Sequence, residues 1–266
     1  MTLRTRFQTS LLLAGSAFLI APPSSAEDVG ERVVTHAEAK TWSPDARPAR
    51  EYAEGRAGDV SFSVFDMRGR QRQHGGYGHA YMASTFKVML LVAYLRRAKD
   101  RGLTGSERSL LEPMIRRSDN ETASRIDAML GRGPIEDLAS AAGMKSFRWH
   151  DTWGLSRSTP RDQALFMRTL ERYVPDRHWD YARRLLASVT PSQRWGIGRI
   201  PLHGWHLYFK GGWGSGTGWV NHQVVLLAKD GRRIGLAVFT ERSPSHEYGK
   251  ETLEGVFRAL LRDLPG

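Results

Sequence analysis

Two stretches of strand-like sequence stand far apart in the chain, with a long block of helical periodicity between them. That order limits the folds open to it. Residues 60–65 (VSFSVF) alternate with period two, as a half-buried strand does. Gly69 marks a turn, and residues 73–80 are expected to return as a second strand. Apolar residues then recur at helical spacing, with Val88, Leu91 and Leu95 inside a helix expected over 85–101 and Gly102 as its stop. Further helices are expected over 106–117, over 121–130 with Asp119 as cap, from Pro134 to about 142, over 159–173 and over 177–188. Thr159 followed by Pro160 is a capping residue with proline at the first helical position. After Pro191 strand character returns. A short aromatic strand is expected over 206–210 and a valine- and leucine-rich one over 219–228. Asp230-Gly231 forms a hairpin turn into a strand over 233–240, and a helix over 251–264 closes the chain.

Strands, helical block, strands, helix is the order of an α+β fold: an antiparallel five-stranded sheet with flanking helices and an inserted all-α lobe. The expected division is one domain over 27–266, with the α/β part at about 27–83 and 191–266 and the α lobe at about 84–190. Residues 27–56 are expected to add one helix packed on the rest. A substrate site is expected in the cleft between the two parts. Composition narrows the chemistry. The chain has no cysteine, which excludes disulfide scaffolds, thiolate metal sites and cysteine nucleophiles. Its net charge is +11, but the cations come as scattered doublets such as Arg96-Arg97 and Arg232-Arg233. That pattern fits solvated helix faces and attraction to an anionic cell envelope better than nucleic-acid binding.

Residues 1–26 read as a secretory leader. Arg4 and Arg6 precede the short apolar run 11–21; Pro22 and Pro23 break it, and Ser24-Ser25-Ala26 supplies small residues for cleavage. The run is short for a membrane anchor. Cleavage near Glu27 removes two arginines and no acid, and leaves +9. The expected location is secreted or periplasmic, the protein a monomer.

Three short motifs fall at the seams of this layout. Ser84-Thr85-Phe86-Lys87 lies where the first strands give way to the long helix. Ser118-Asp119-Asn120 lies between two helices of the lobe, and Lys210-Gly211-Gly212 at the end of the first strand after it. A serine at a helix start has unpaired backbone N–H groups and the positive end of the helix dipole beside it. A lysine three residues on lies on the same face. Among Val88, Met89, Leu90 and Leu91 that lysine is desolvated, its pKa falls, and it can take the proton of a hydroxyl that is a weak nucleophile unaided. Ser118 can relay a proton, Lys210 supplies a second ammonium, and Gly211 and Gly212 let a substrate backbone approach closely.

This ordered set resembles the S-x-x-K, S-D-N and K-T-G motifs of class A β-lactamases and penicillin-binding proteins. The Ser158-Thr159-Pro160 helix start and the terminal helix look like that fold too. The resemblance implies Ser84 as the acylated nucleophile, Lys87 as its base or proton relay and Ser118 as the shuttle to the leaving nitrogen. It implies Lys210 for the electrostatics of a substrate carboxylate and Asn120 beside the acyl side chain or Lys87. Gly212 borders the oxyanion site, and the N–H groups of Ser84 and Trp213 form it. Neither metal nor other cofactor is implied, and His203 and His206 have no nearby carboxylate to complete a metal site.

Three departures from the family pattern stand out. The segment 148–158 (RWHDTWGLSRS) lacks the glutamate that frees the acyl-enzyme in class A enzymes; Asp151 is the candidate substitute, ahead of His150. The segment between Lys87 and Ser118 is short, and Gly211 replaces the hydroxyl residue of the third motif. Trp213 and Trp219 are candidates for lining an acyl pocket. The expected function is a secreted serine hydrolase that forms an acyl-enzyme on Ser84 and acts on a β-lactam or related amide or peptide carbonyl. The alternatives are a D-alanyl-D-alanine peptidase-like or slow penicillin-binding activity, and a non-catalytic cell-wall or β-lactam binding module.

Overall fold

The computed structural model describes residues 42–75, 78–215 and 219–266. The expected leader and any helix before residue 42 lie outside them. In chain order the elements are α1 (Arg47–Glu54), β1 (Asp59–Phe65), β2 (Gln71–His74), β3 (Ala80–Tyr81), a 3-10 turn (Ala83–Phe86) and α2 (Lys87–Ala98). Then come α3 (Gly105–Arg116), α4 (Asn120–Leu130), α5 (Arg132–Ala141), β4 (Arg157–Ser158), α6 (Pro160–Arg168) and α7 (Asp176–Ala187). The chain closes with β5 (His206–Gly214), β6 (Trp219–Lys229), β7 (Arg232–Ser243) and α8 (His246–Leu261).

The fold is the expected α+β one. Five antiparallel strands run in the order β2-β1-β7-β6-β5, so the first two strands pair with the last three across the sequence of the lobe. Alternation then sorts side chains onto two faces. Phe62, Val64, Phe209, Val225, Leu227, Leu236 and Val238 pack with α1 and α8. Tyr208, Val224, Leu226, Ala237 and Phe239 face the lobe. Helix α2 is the lobe's axis. Nearly all of it is buried, as expected of a helix apolar on every side, and the burial includes Lys87.

Several boundaries differ from the sequence expectation. The second strand stops at His74, where Gly75 takes φ +56°, and Ala80–Tyr81 pairs instead with Arg157–Ser158 in a separate two-stranded sheet. The long helix begins with a 3-10 turn that contains Ser84, so the α-helical part starts at Lys87. Helix α3 starts earlier than Ser106, because Thr104 and Glu107 close a reciprocal capping box. The helix expected to reach Tyr173 breaks at Thr169 and continues as a 3-10 turn. Helix α8 starts at His246, since Ser245 caps it. The strand expected to stop at Lys210 runs on to Gly214 and carries the third motif in its interior. The Asp119 cap, the Thr159-Pro160 start and the Asp230-Gly231 hairpin stand as expected.

Helix α6 lies against β7 at Gly235. A Cβ there would overlap the carbonyl oxygen of Ala164 and come within 2.8 Å of the Arg168 nitrogen. Those are backbone atoms that cannot swing aside. Gly235→Ala is expected to lower the unfolding free energy by about 2 kcal/mol or more in urea titration. Gly133→Ala, at a helix position with open space around it, is expected to be neutral or stabilising by up to about 1 kcal/mol. Equal effects of the two changes would contradict the close-packing account.

Candidate active site

The 3-10 turn that holds Ser84 is fixed by its own chemistry. The Thr85 N–H and hydroxyl both donate to Met82 O, at 3.1 and 2.6 Å. Ala83, just before Ser84, takes φ +45°, a conformation that costs a non-glycine residue energy and persists because its surroundings impose it. Strand β5 comes up against this turn. A Cβ at Gly212 would lie 2.9 Å from the backbone nitrogens of both Ser84 and Thr85, so only glycine allows the approach. Ser84 is largely buried, and it lines a cleft of about 390 Å³.

Behind Ser84, two lysines meet on one hydroxyl. Lys87 Nζ donates to Ser118 O at 2.6 Å, to Asn120 Oδ1 at 2.7 Å and to Ser118 Oγ at 3.2 Å. Lys210 Nζ donates to Ser118 Oγ at 2.9 Å and to Gly211 O at 2.7 Å. Ser118 is held in place by backbone geometry. It takes φ +58° between α3 and α4, and the next residue, Asp119, caps α4 by accepting from the Thr122 N–H at 2.8 Å. Both lysine side chains are wholly buried.

Burial disfavours an ammonium, and the two amines respond to it. Lys87 is pulled down to about 7 by desolvation, with the Asp119 carboxylate acting in the opposite direction. Lys210 falls well below the ordinary lysine value, through desolvation first and the charge of Lys87 second. A neutral Lys87 amine has two N–H donors for Ser118 O and Asn120 Oδ1, which can only accept. Its lone pair is then left for a hydroxyl proton.

Aromatic side chains wall the site. The Trp153 ring centroid lies 5.0 Å from Lys87 Nζ, and Trp213 lies 5.7 Å from Lys210 Nζ. Phe86 stacks against Phe147 and Trp153. The Trp153 indole N–H donates to Ser124 Oγ at 3.1 Å. Position 211 faces away from the cluster, and a Cβ there would meet Trp195 at 2.8 Å.

The structure thus brings Ser84, Lys87, Ser118, Asn120, Lys210 and Gly212 together, with Trp213 in the cleft lining. It does not bring Asp151 to them. That side chain is exposed and accepts from Trp149 Nε1 at 3.4 Å, while His150 Nδ1 accepts from the Thr152 N–H in the same loop. Thr152, Trp153, Gly154 and Leu155 of that loop line the cleft instead. Trp219 is not in the lining; it packs near His246, as Trp195 and Trp213 do. Among the described residues no group of three or more metal-ligating side chains occurs. The sequence reading missed Trp153 and Leu155, which lie in a short turn without a period, and Ser124, which sits one helical turn after Asn120 on α4. It also missed His222, buried opposite Gly212 with its ring packed at a tilt against Phe239, where burial pushes it down to about 4 and keeps it neutral.

The family model described as the beta-lactamase enzyme family matches residues 100–263, a span that takes in Ser118, Asn120 and Lys210 and begins after Lys87. Among solved structures, a β-lactamase from Sphaerobacter thermophilus DSM 20745 superposes with a TM-score of 0.70 at 22% identity. That match covers 83% of this chain and 98% of that one. A class A β-lactamase from Mycobacterium abscessus gives 0.67 at 22% identity over 80% and 96% of the two chains. A β-lactamase from Chitinophaga pinensis DSM 2588 gives 0.68 at 15% identity over 82% and 98%. At these identities the likeness is one of fold. No curated protein sequence matches the chain.

The buried amines have a consequence for stability. Unfolded, Lys87 titrates near 10.5; folded, it titrates near 7. Between those values the unfolded chain binds a proton that the folded chain does not, so unfolding free energy rises with pH across that window. Lys210 acts in the same direction. In Lys87→Met the rise between about pH 7 and about pH 9.5, read by urea titration, is expected to be smaller than in the wild type. An equal rise would show that Lys87 is an ordinary lysine.

Proposed function

The chain belongs to the β-lactamase enzyme family, and from that premise we propose that it is a serine hydrolase working through an acyl-enzyme on Ser84. The observation that carries this reading is the Ser118 hydroxyl, which touches both Lys87 and Lys210 beside the cleft that Ser84 lines. In the proposed reaction neutral Lys87 takes the Ser84 proton as Oγ attacks the carbonyl carbon. The backbone N–H groups of Ser84 and Trp213 receive the developing oxyanion. The proton returns through Ser118 Oγ to the departing nitrogen or oxygen, and Lys210 polarises that hydroxyl. Asn120 positions Lys87 by accepting one of its N–H bonds.

A second reading, a slowly deacylating penicillin-binding or D-alanyl-D-alanine peptidase-like activity, is favoured by one feature. Among the described residues the cleft lining contains no carboxylate and no histidine to activate water. A binding module without chemistry would have no use for two desolvated lysines held on one hydroxyl, an arrangement that costs stability. For location, we propose export from the cytoplasm, on the basic-then-apolar pattern of residues 1–26. No described helix is long and apolar enough to cross a membrane.

Incubation with p-nitrophenyl acetate, followed by intact-protein mass spectrometry, tests the reading. The wild type is expected to release a burst of about one equivalent of nitrophenol and to hold one acetyl group on Ser84, followed by a slower phase. Ser84→Ala is expected to lose both burst and adduct. A burst of equal size in Ser84→Ala would overturn the proposal.

A further inference from the structure

Among the described residues the walls of the cleft that holds Ser84 carry no charged side chain. That lining has no acidic, basic or histidine side chain, and its large apolar side chains are Tyr81, Trp153, Leu155, Trp213 and Val220. Leu155 and Trp213 are 41% and 36% exposed, so they present apolar surface to whatever enters. The two lysine amines behind this wall are turned inward. Lys210 is committed to Ser118 Oγ and Gly211 O, and Lys87 to Ser118 O and Asn120 Oδ1. Each has a tryptophan ring within 5.7 Å of its Nζ. An anionic group entering this cleft would give up its water and find its charge unmatched by any lining side chain.

We infer that the substrate is an electrically neutral ester or amide with an aromatic or branched apolar acyl group, and that a carboxylate close to the scissile bond is a handicap. The inference rests on the acyl-serine reading above. For an ester, the bond from Ser84 Oγ to the acyl carbon forms and the bond from that carbon to the leaving oxygen breaks. The Ser84 proton passes to Lys87 and then, through Ser118, to the leaving oxygen, so the alcohol departs neutral.

Phenyl phenylacetate and 3-carboxyphenyl phenylacetate differ by one carboxylate on the leaving group. Their second-order constants for acylation of Ser84, read from phenol release and adduct mass, decide the matter. The neutral ester is expected to react about tenfold faster or more, the factor that about 1.4 kcal/mol of unmatched charge gives. Leu155→Arg, which puts a cation on the cleft wall, is expected to narrow that ratio severalfold. Equal constants, or an advantage for the carboxylate ester in the wild type, would overturn the inference. If p-nitrophenyl acetate labels Ser84 and neither phenylacetate does, the acyl-serine reading stands and the apolar acyl class falls. If none of the three labels Ser84, both fall.

Discussion

The Ser118 hydroxyl lies within hydrogen-bond distance of a lysine of the lobe and a lysine of the sheet at once, and much of the fold serves to make that meeting possible. Two amines in an apolar interior are costly, so each must have its donors matched by acceptors fixed beforehand. The Ser118 carbonyl, Asn120 Oδ1 and the Gly211 carbonyl supply them. Ser118 reaches its place only with a left-handed backbone, and the Asp119 cap on α4 helps to hold it there. The sheet reaches its place only because Gly212 lets β5 close on the 3-10 turn of Ser84. The strained Ala83 beside Ser84 and the strained Ser118 beneath the two amines are the local cost of this convergence.

Packing on the two faces of β5 explains how the site differs from the pattern its motifs resemble. Lys210 and Gly212 face the serine turn, while Gly211 faces the opposite layer and Trp195. The absence of a hydroxyl at position 211 and the presence of that indole are therefore one structural fact. At the rim of the cleft, the loop 150–155 carries Trp153 and Leu155 into the lining. Its acid, Asp151, and its histidine, His150, bond within the loop instead. In that loop, apolar wall stands where a polar group would face the cleft.

Much of this was legible in the sequence, for reasons that are local. The Asp119 cap, the Thr159-Pro160 start and the Asp230-Gly231 turn depend on neighbours a few residues away, and they stand where the sequence put them. Lys87 announced its burial through the apolar residues around it. What failed to show depends on partners distant in the chain. Glycines 211 and 212 read as the end of a strand, but they mark the close approach of Trp195 and of the serine turn, in the middle of β5. The pairing of Ala80–Tyr81 with Arg157–Ser158 joins segments too short to show a period. Trp153 opens a three-residue 3-10 turn too short to show a period, so its place against Lys87 had no signal to follow.

The central claim is that a lysine poised near neutrality takes the proton of Ser84. The pH dependence of the second-order constant for acetylation of Ser84 tests it most directly, because in the free enzyme that constant follows the ionisation of the base. The account predicts a rise through a single inflection near 7, the value burial gives Lys87, and loss of that inflection in Lys87→Ala. A profile that is flat through neutrality in the wild type, or that rises only near the ordinary lysine value of 10.5, would contradict it.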